Sequence, residues 1–331
     1  MKAIVCTKYG SPDVLQLQEV AIPVPKDNEV LIRIHAAAVT TAGLIGRKGT
    51  PFFTRIFSGL TKPRNNILGM ELSGEIKAAG RKVSQFKKGD QVFGLTGTGL
   101  GSNAEYICLS EDAALVKKPK DLTYEESAAL IEGGLTALNF LRNKARIQSG
   151  QRVLIVGASG SVGTASVQLA KYFGAEVTAV CSKGNAGMVR SLGADKVIDY
   201  KAEDFTQSGH TYDIIFDTLG KHSFPACQNS LTSDGIFLDA AGLSTVFHML
   251  WTSIFSRKKA ILTATYVRSA KKIKPDLLYL KELIEREVIK PVIDRHYPLE
   301  KTAEAHQYVE TGRKKGNVIL SIVPSAVEFQ N

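Results

Sequence analysis

The fold of this chain is decided by one stretch, Val153-Leu154-Ile155-Val156-Gly157-Ala158-Ser159-Gly160-Ser161-Val162-Gly163. A short apolar run ends in three glycines, and the helix-compatible segment 164–173 follows. This order predicts a buried parallel strand, a tight turn and a helix whose first amides are unpaired. Such a helix start binds anions, because its free N–H groups and the helix dipole both point at the ligand. The glycines allow the backbone to approach a pyrophosphate closely.

The residues that follow continue as strands, with helix-compatible segments such as 185–192 between the earlier ones. Strands that alternate with helices require right-handed crossovers and predict a doubly wound parallel sheet. The predicted strands are Ala175–Val180, Lys196–Tyr200, Tyr212–Asp217, Gly235–Asp239 and Ala260–Ala264.

The end of the strand at 175–180 indicates which dinucleotide binds. NAD-binding sites of this type place Asp or Glu about 20 residues after the glycines, where it accepts hydrogen bonds from the ribose hydroxyls. Here the corner is Val180-Cys181-Ser182-Lys183-Gly184-Asn185 and has no carboxylate. Ser182 and Lys183 would bind a 2′-phosphate through charge-assisted hydrogen bonds, whereas a carboxylate would repel it. We therefore predict NADPH over NADH; an exposed Lys183 in an ordinary turn is the alternative.

Length and composition bound the remaining possibilities. At 331 residues the chain is long enough for two domains. The net charge is +10, but no aromatic-interleaved basic motif accompanies it, which favours an anionic cofactor over nucleic acid. No run approaches the roughly 18 apolar residues of a membrane span, so we expect no membrane partner. Four scattered cysteines and a strand-like start at 1–6 predict a cytoplasmic protein without a signal peptide.

The segments on either side of the nucleotide-binding region are predicted to unite as one other domain. Thr123 and Glu126 have the spacing of a capping box, which predicts a helix start. The predicted domains are 1–120 plus 270–331 and, between them, 121–269. The flanking elements predicted are strands at 1–6, 15–20, 29–38, 71–79, 90–94 and 317–323, and helices at 275–287 and 299–310.

Five short motifs stand in a characteristic order: Gly69-Met70-Glu71-Leu72-Ser73-Gly74, Lys88-Gly89-Asp90-Gln91-Val92-Phe93-Gly94, Gly134-Leu135-Thr136-Ala137-Leu138, the glycine turn, and Gly312-Arg313-Lys314-Lys315-Gly316-Asn317-Val318. Together they resemble the medium-chain dehydrogenase/reductases, in the zinc-free quinone oxidoreductase branch, over essentially the full chain. The resemblance implies an α/β fold in which a Rossmann doubly wound parallel sheet is inserted in a GroES-like, β-rich catalytic domain. It also implies a substrate cleft between the two domains and a homodimer, often joined through the edge of the Rossmann sheet.

The positions that match the zinc ligands of zinc-dependent relatives hold other residues. Thr40 stands for the first Cys, Met70 for the His of Gly-His-Glu, and Gly133 for the third ligand. Threonine and methionine are not partners for zinc in such a set, so we predict no metal. Without a Lewis acid nothing would generate an alkoxide near neutral pH, which disfavours alcohol oxidation. NADPH-dependent reduction of a quinone or an α,β-unsaturated carbonyl (an enone or enal) is therefore the favoured function.

The resemblance also implies cofactor contacts, residue by residue. The pyrophosphate would lie on the glycine turn, and the 2′-phosphate on the corner at 182–185 and on a tyrosine in the next strand. Further residues would line the adenosine and the nicotinamide; Asn317 replaces a more usual lysine. The implied contacts are Thr136, Ala158, Ser159, Gly160, Ser161, Val162, Gly163, Ser182, Lys183, Asn185, Tyr200, Leu219, Gly220, Ala241, Gly242, Leu243, Thr265 and Asn317.

The catalytic side departs from the family pattern Asn-Pro-x-Asp-x-x-x-Arg-x-Gly, since the segment from Thr40 to Gly49 keeps neither the Asn nor the Asp. Thr40 and Thr41 remain as hydroxyl donors to a substrate oxygen, or they satisfy local backbone groups. Thr265 and Tyr266 are expected to end the sixth strand, near the nicotinamide, and Tyr266 is a third catalytic candidate. The apolar segment 50–57 is predicted to cap a hydrophobic acceptor in preference to packing on its domain. The cluster around Trp251 borders the cleft, lies at a dimer contact or is core.

Two rival functions stay open. An enoyl-thioester reductase would need a basic path for a phosphopantetheine arm, for which Arg55, Lys62 and Arg64 are candidates. A non-catalytic NADPH-binding sensor or scaffold is compatible with the missing polar catalytic groups. Tight NADPH binding without turnover would favour the second rival.

Overall fold

A computed structural model describes residues 1–242 and 245–323, which form two compact units. The first unit contains Met1–Glu132, Tyr266–Glu285 and the residues from Pro291 on. The second contains Gly133–Thr265 and Arg286–Lys290. The domain boundaries predicted from the sequence, near residues 120 and 270, remain a proposal. Leu243, one of the predicted cofactor contacts, lies outside the described residues.

The first unit begins with strands and short helices, and a capping box starts its longest early helix. The Thr123 N–H donates to Glu126 Oε2 at 2.8 Å, and the Glu126 N–H donates to Thr123 Oγ1 at 3.1 Å, as predicted. The elements are β1 (Lys2–Cys6), β2 (Leu15–Glu19), β3 (Glu29–Ala38), α1 (Thr41–Lys48), α2 (Arg55–Ser58), β4 (Glu71–Ala79), β5 (Gln91–Leu95), β6 (Tyr106–Ser110), β7 (Leu115–Lys117) and α3 (Tyr124–Ala137).

The second unit holds the alternating strands and helices. Its six strands are all parallel, in the order β10-β9-β8-β11-β12-β13. The order reverses between β8 and β11, and ligands of such sheets bind at the carboxyl ends of the strands there. The elements are β8 (Arg152–Val156), α4 (Ser161–Tyr172), β9 (Glu176–Cys181), α5 (Ala186–Ser191), β10 (Lys196–Asp199), β11 (Tyr212–Asp217), α6 (Phe224–Cys227), β12 (Leu231–Asp239), α7 (Thr245–Phe255) and β13 (Lys259–Leu262).

The remaining elements return to the first unit: α8 (Ala270–Glu285), β14 (Ile293–Pro298), α9 (Thr302–Glu310) and β15 (Asn317–Ser321). A sheet of order β14-β15-β3-β4-β5-β7, with β6 pairing β3, surrounds an apolar core to which Ile32, Leu72 and Val318 belong. The expected α/β fold, a Rossmann-like parallel sheet with a GroES-like domain, is confirmed.

Several predicted element ends were wrong. The helix after the glycines starts at Ser161 and not at Thr164, because Gly160 takes the N-cap position. Strand β13 ends at Leu262, so Thr265 and Tyr266 lie on the following 3₁₀ turn and do not end the strand. Pro275 lies inside α8 and does not begin it. The helix extends past this proline toward its start, where Ile273 is buried.

Sequence pattern alone did not predict α1, α7, β6, β7 or β14. Two glycines lower the helix propensity of α1, and β14 is only partly buried, so its apolar alternation is weak. These elements form because their neighbours in the fold pack on them or pair with them. Strand β14, for example, pairs in parallel with β15.

Candidate functional site

The glycine turn between β8 and α4 forms a helix start without a side-chain cap. Gly157 has a φ of +73°, which favours glycine, and a Cβ at Gly163 would lie 2.1 Å from the Gly157 carbonyl oxygen. Gly160 is the N-cap residue, and no side chain accepts a bond from the first helical amides. The buried Ser161 hydroxyl has no hydrogen-bond partner within the described ranges. The turn therefore offers N–H groups and a hydroxyl to an anion.

All the predicted contacts from 158 to 163 lie on this turn, but they do not all present a free amide. The Ala158 N–H donates to the Val180 carbonyl at 3.1 Å, and its side chain is fully buried. The Gly160 N–H donates to the Gly157 carbonyl at 3.0 Å. Within the described residues, the amides left over are those of Ser159 and of the first turn of α4, beginning with Ser161.

The corner after β9 is polar and open. Ser182 caps no helix with its side chain, and Lys183 is exposed and forms no ion pair with the residues that the structure describes. Tyr200 is 57% exposed, and its N–H bonds to the Cys181 carbonyl at 3.4 Å, which brings the ends of β9 and β10 together. No carboxylate occurs in the segment from Val180 to Asn185. The corner thus presents a hydroxyl and a lysine, and it has no carboxylate to accept hydrogen bonds from a ribose diol.

One hydrogen bond joins this corner to the glycine turn. The side-chain amide of Asn185 donates to Ser159 Oγ at 3.0 Å. Asn185 also ends the 3₁₀ turn at 183–185 and is the N-cap residue of α5, where its side chain makes no cap bond. Its amide is therefore committed to the glycine turn, and it fixes the position of a hydroxyl on that turn.

Two buried aspartates hold the loops that follow β11 and β12. Asp217 and Asp239 end the neighbouring strands β11 and β12, and they pair in register. Asp217 Oδ1 accepts the N–H groups of Leu219 and Gly220, at 2.9 and 3.0 Å. Burial raises the pKa of Asp217, but hydrogen bonds from His222 and the backbone outweigh burial and hold that pKa below its usual value. Asp217 is thus a carboxylate that holds its loop.

Asp239 holds the loop after β12 by the same kind of hydrogen bond. Its Oδ1 accepts the N–H groups of Ala241 and Gly242, at 2.9 and 2.7 Å. The two loops touch, since a Cβ at Gly220 would lie 2.8 Å from the Gly242 nitrogen. Leu219, 48% exposed, lies against Gly157 of the glycine turn. The structure therefore brings Leu219, Gly220, Ala241 and Gly242, all predicted cofactor contacts, together with the glycine turn.

Thr136 and Thr265 belong to the same unit. The end of α3 from Gly133 on belongs to the second unit. A Cβ at Gly133 would lie 2.5 Å from the Ser161 carbonyl oxygen, so this part of α3 packs closely on the glycine turn one helical turn before Thr136. Thr265 is buried and accepts a long hydrogen bond of 3.4 Å from the Asn139 side-chain amide. Asn139 lies on the π-helix at 138–144 that continues α3, a helix type frequent at functional sites.

In the first unit, Thr40 and Thr41 stand at the start of α1. Thr40 is the N-cap residue, and its Oγ1 accepts the Gly43 N–H at 3.2 Å. Thr40 therefore satisfies a local backbone group, the second of the two interpretations drawn from the sequence. Thr41 is exposed, and within the described ranges its hydroxyl makes no hydrogen bond. Tyr266 lies on the 3₁₀ turn at 265–267.

Arg47, the arginine of the segment from Thr40 to Gly49, has a structural role. Arg47 is fully buried and donates to the Gly10 carbonyl and to Glu310 on α9. His306 on the same helix is also buried; burial lowers its pKa to about 3, and the charge of Arg47 adds to the effect. Arg47 thus ties α1 and the loop at Gly10 to α9.

Asn317 stands where a lysine is more usual, and a lysine, Lys314, lies three residues before it. The Asn317 side-chain amide donates to the Val292 carbonyl at 3.0 Å, a bond within its own unit. Lys314, which the sequence analysis names only within a family motif, is partly buried, and its ammonium donates to the Gly316 carbonyl at 3.1 Å. Burial lowers the pKa of Lys314, and the nearby carboxylates of Glu132 and Glu71 oppose that effect.

The residues at the zinc-ligand positions do not fit zinc. The oxygen of Thr40 is occupied by the Gly43 N–H, and Met70 supplies only a thioether. Position 133 has no room for a ligating side chain beside the Ser161 carbonyl. No group of three or more His, Cys, Asp or Glu side chains arranged for a metal occurs in the described parts of the chain.

Comparison with known proteins agrees with this arrangement. Residues 26–120 match the alcohol dehydrogenase GroES-like domain, and residues 192–320 match the family described as zinc-binding dehydrogenase. The chain belongs to the medium-chain dehydrogenase/reductase superfamily, in its quinone oxidoreductase-like branch. The resemblance predicted from the motifs is thereby confirmed.

Three known proteins illustrate the relationship. The 2-methylene-furan-3-one reductase of Solanum lycopersicum is 34% identical, over 98% of this chain and 80% of its own length. The mitochondrial NAD(P)H oxidoreductase of Bos taurus is 32% identical, over 98% of this chain and 89% of its own. The structure of the Coxiella burnetii quinone oxidoreductase has a TM-score of 0.87 at 28% identity and covers 98% of this chain and 99% of its own. The protein is accordingly an oxidoreductase with a nicotinamide cofactor.

Among the helices of the described residues, none has the length and apolar character needed to cross a bilayer.

Proposed function

We propose that this protein is a zinc-independent, NADPH-dependent reductase that transfers hydride directly to a quinone or an α,β-unsaturated carbonyl. The observation that carries the proposal is the corner at Ser182 and Lys183, beside the uncapped start of α4. It presents a hydroxyl and a lysine that forms no ion pair with the residues described by the structure. An NAD site would need a carboxylate there. The names of the relatives, which include a furanone reductase and quinone oxidoreductases, support the acceptor class.

The residues proposed to hold the cofactor divide by the part that they contact. The turn from Ala158 to Gly163 would bind the pyrophosphate through the first amides of α4 and the Ser161 hydroxyl. Ser182, Lys183 and Tyr200 would bind the 2′-phosphate and the adenosine, while Asn185 orients Ser159. Bound there, NADPH supplies the hydride. The proposed flanking residues are Leu219, Gly220, Ala241, Gly242 and Leu243, and those of the nicotinamide side are Thr136, Thr265 and Asn317.

The chain would supply a hydrogen-bond donor to the acceptor oxygen. Thr41 is the best placed of the predicted hydroxyls, because it is exposed and is not used within the described structure. Thr40 accepts the Gly43 N–H, which leaves its O–H hydrogen available as a donor. Tyr266 is retained as a third candidate. Polarising the oxygen with a hydroxyl replaces the Lewis acid of zinc-dependent relatives.

The segment after α1 supports an apolar acceptor. Phe52 is 67% exposed and Ile56 is 59% exposed, in the first unit. Arg55 lies over the rings of Tyr9 and Phe52, at 4.5 and 5.3 Å from the ring centroids, and so holds the segment in place. We propose that this apolar surface contacts the flat acceptor.

Steady-state oxidation of NADPH tests the proposal, with quinones, short enals and enones, and enoyl thioesters as separate acceptors. NADPH oxidation with a quinone, enone or enal, at a higher kcat/KM than with NADH, is the expected result. Faster turnover of enoyl thioesters would favour the thioester reductase instead. Tight NADPH binding with no acceptor turned over would favour a sensor or scaffold. Equal affinity for both dinucleotides would refute the cofactor assignment.

The oligomeric state and the cellular compartment are also part of this proposal. We keep the homodimer as a prediction, with the edge strand β13 as its candidate contact, and light scattering of the purified chain tests it. We also keep the cytoplasm as the predicted compartment. The four cysteines are free thiols, three of them buried, as expected in a reducing environment.

A further inference from the structure

The segment after α1 presents three large apolar side chains to solvent. Phe52 is 67% exposed, Ile56 is 59% exposed and Leu60 is 63% exposed. They lie on the 3₁₀ turn at 52–54, on α2 and directly after α2. Single apolar residues scattered over a surface are normal, whereas several in one short segment indicate an interaction site. These three residues are called here the apolar tip.

Hydrogen bonds hold the segment that carries the apolar tip. The Tyr9 hydroxyl donates to the Gly59 carbonyl at 2.5 Å and lies 2.9 Å from Ser58 Oγ. The Arg64 N–H donates to the Ser58 carbonyl at 2.7 Å. A Cβ at Gly59 would lie 2.1 Å from the Lys62 carbonyl oxygen, so the turn after α2 is tightly closed. Because the segment is already held in place, little conformational entropy is lost when the tip is bound.

The charge around the apolar tip is positive. From Val30 to Met70 the sequence has no Asp or Glu. Lys62 and Arg64 are exposed, and neither forms an ion pair with the residues that the structure describes. Lys48, by contrast, pairs with Glu310 at 3.2 Å. The apolar tip is therefore followed directly by two positive charges that no carboxylate of their own segment neutralises.

We propose that the apolar tip docks this protein on an anionic phospholipid bilayer, from which the enzyme takes a lipid-dissolved quinone or enal as its acceptor. Apolar side chains beside cations bind the boundary between headgroups and acyl chains, because apolar burial and attraction to anionic lipids both contribute. Lysine and arginine keep their charge in the headgroup layer while their stems cover apolar surface.

The two parts of this proposal have different foundations. The choice of acceptor rests on the proposed function, in which Phe52 and Ile56 contact the acceptor, whereas the docking does not depend on any reaction. Docking at the surface of a bilayer needs no run of roughly 18 apolar residues, so the criterion for a membrane span does not detect it. The proposal thus revises the expectation of no membrane partner.

A second copy of this chain fits the apolar tip less well. A two-fold contact through the tip would bring Lys62 and Arg64 of both protomers toward one another, and the segment from Val30 to Met70 has no acidic residue to face them. An anionic lipid surface supplies the missing negative charge. The tip belongs to the first unit, whereas strand β13, the candidate dimer contact, belongs to the second. The proposal therefore leaves the predicted homodimer unchanged.

Co-sedimentation with vesicles tests the docking. The full chain is mixed with vesicles of phosphatidylcholine, with or without phosphatidylglycerol, in the absence of NADPH and acceptor. We expect binding to the anionic vesicles, weaker binding to the neutral ones, and partial loss of binding in high salt. Absence of binding to the anionic vesicles would overturn the proposal.

The decisive variant is L60E, because Leu60 is exposed and is not one of the proposed acceptor contacts. The melting temperature should stay the same, and vesicle affinity should fall about tenfold or more, since a charge replaces an apolar contact. The matched control is V24E, at an apolar residue of the same unit that is 84% exposed, and it should bind like the parent. Equal vesicle binding by L60E and the parent would show that another surface binds lipid.

A second pair of variants tests the charge. K62Q/R64Q should lose most of the preference for anionic over neutral vesicles, because it removes the two cations beside the tip. K271Q/K272Q removes the same charge from exposed lysines of α8 and should keep the preference. Equal losses in both variants would show that only the overall charge of the protein is sensed, and docking through the tip would fail.

Sedimentation velocity without lipid identifies the competing occupant. If the parent is a dimer that L60E converts to a monomer, a second copy covers the apolar tip and the proposal fails. If L60E and the parent have the same oligomeric state and only vesicle binding differs, the docking stands.

Steady-state kinetics with two quinones tests the choice of acceptor. With a short, water-soluble quinone, L60E should keep the kcat/KM of the parent. With a long-chain quinone dissolved in anionic vesicles, the rate of L60E should fall about tenfold, in line with its vesicle affinity. Equal rates of L60E and the parent on the vesicles would overturn the choice of acceptor. Failure of NADPH oxidation with both quinones would instead refute the proposed function, while co-sedimentation would still report on the docking.

Discussion

The side-chain amide of Asn185 donates a hydrogen bond to Ser159 Oγ at 3.0 Å. This bond links the start of α5 to the glycine turn, two segments that lie 26 residues apart. The corner proposed to bind the 2′-phosphate and the turn proposed to bind the pyrophosphate are therefore joined by a side-chain hydrogen bond. Mutation can still separate the two proposed roles, because Lys183 makes no such bond within the described residues.

Removing the hydrogen bond between Asn185 and Ser159 should weaken the binding of NADPH and of NADH by a similar factor. In N185A the Ser159 hydroxyl loses its partner, and the turn is less well ordered before ligand binding. We expect the dissociation constants of NADPH and NADH to rise by a similar factor, about three- to tenfold for a loss of roughly 1 kcal/mol. Fluorescence titration with both dinucleotides measures this, with N229A, at an exposed asparagine, as control. A selective loss of NADPH binding would contradict this role of Asn185.

Removing the Lys183 side chain should instead change the preference of the protein for NADPH over NADH. K183A deletes the cation proposed for the 2′-phosphate, so NADPH should bind about tenfold more weakly while NADH binding stays the same. The control is K196A in the same unit; the Lys196 side chain is 68% exposed and its ammonium pairs with Glu176. If K183A weakens neither dinucleotide, Lys183 is an ordinary exposed residue of a turn.

Glycine is required at position 163 for steric reasons. In G163A the new Cβ would meet the Gly157 carbonyl oxygen at 2.1 Å, so the turn and α4 must move apart. We expect dinucleotide binding to fall at least tenfold and the melting temperature to drop. At Gly187 a Cβ meets nothing within 4 Å, so G187A should bind normally and melt at the same or a higher temperature. Similar behaviour of the two variants would contradict the packing argument.

The two threonines of α1 should differ in what they affect. T40V removes the oxygen that accepts the Gly43 N–H, and the free energy of unfolding should fall by about 1 kcal/mol. T41V removes an exposed hydroxyl, so stability should stay the same while kcat falls if Thr41 donates to the acceptor oxygen. Denaturant unfolding and steady-state kinetics of both variants separate the roles. Unchanged kcat in T41V would leave Thr40 and Tyr266 as the candidate donors.

Stability should depend on pH through His306. Burial lowers its pKa to about 3 in the folded protein, against about 6.5 in the unfolded chain. Below pH 6.5 the unfolded state therefore binds one more proton at this site, and stability falls as pH falls, by up to about 1.4 kcal/mol per pH unit. Between pH 6 and pH 5, H306Q should show a shallower dependence than the parent. The exposed control H210Q should match the parent; a parent-like slope in H306Q would show that His306 is not neutral when folded.

The fold follows from local patterns that need no knowledge of distant neighbours. The apolar run at 153–156, the glycines and the following helix predicted the parallel sheet, and the strands at 29–38, 71–79 and 212–217 were predicted with the observed ends. The absence of a carboxylate after Val180 is likewise visible in the sequence. In each case the signal lies within a few residues of the feature that it predicts.

Other features depend on partners far along the chain, and only the tertiary structure decided them. The sequence left two interpretations for Thr40, and the bond to Gly43 showed that it caps α1. Arg47 was part of a catalytic motif in the pattern, yet its partner is Glu310, 263 residues away. The outward direction of Trp251 depends on where Thr245 and Thr252 find their hydrogen bonds. Periodicity shows which side chains share a face, but which face is buried depends on what packs against it.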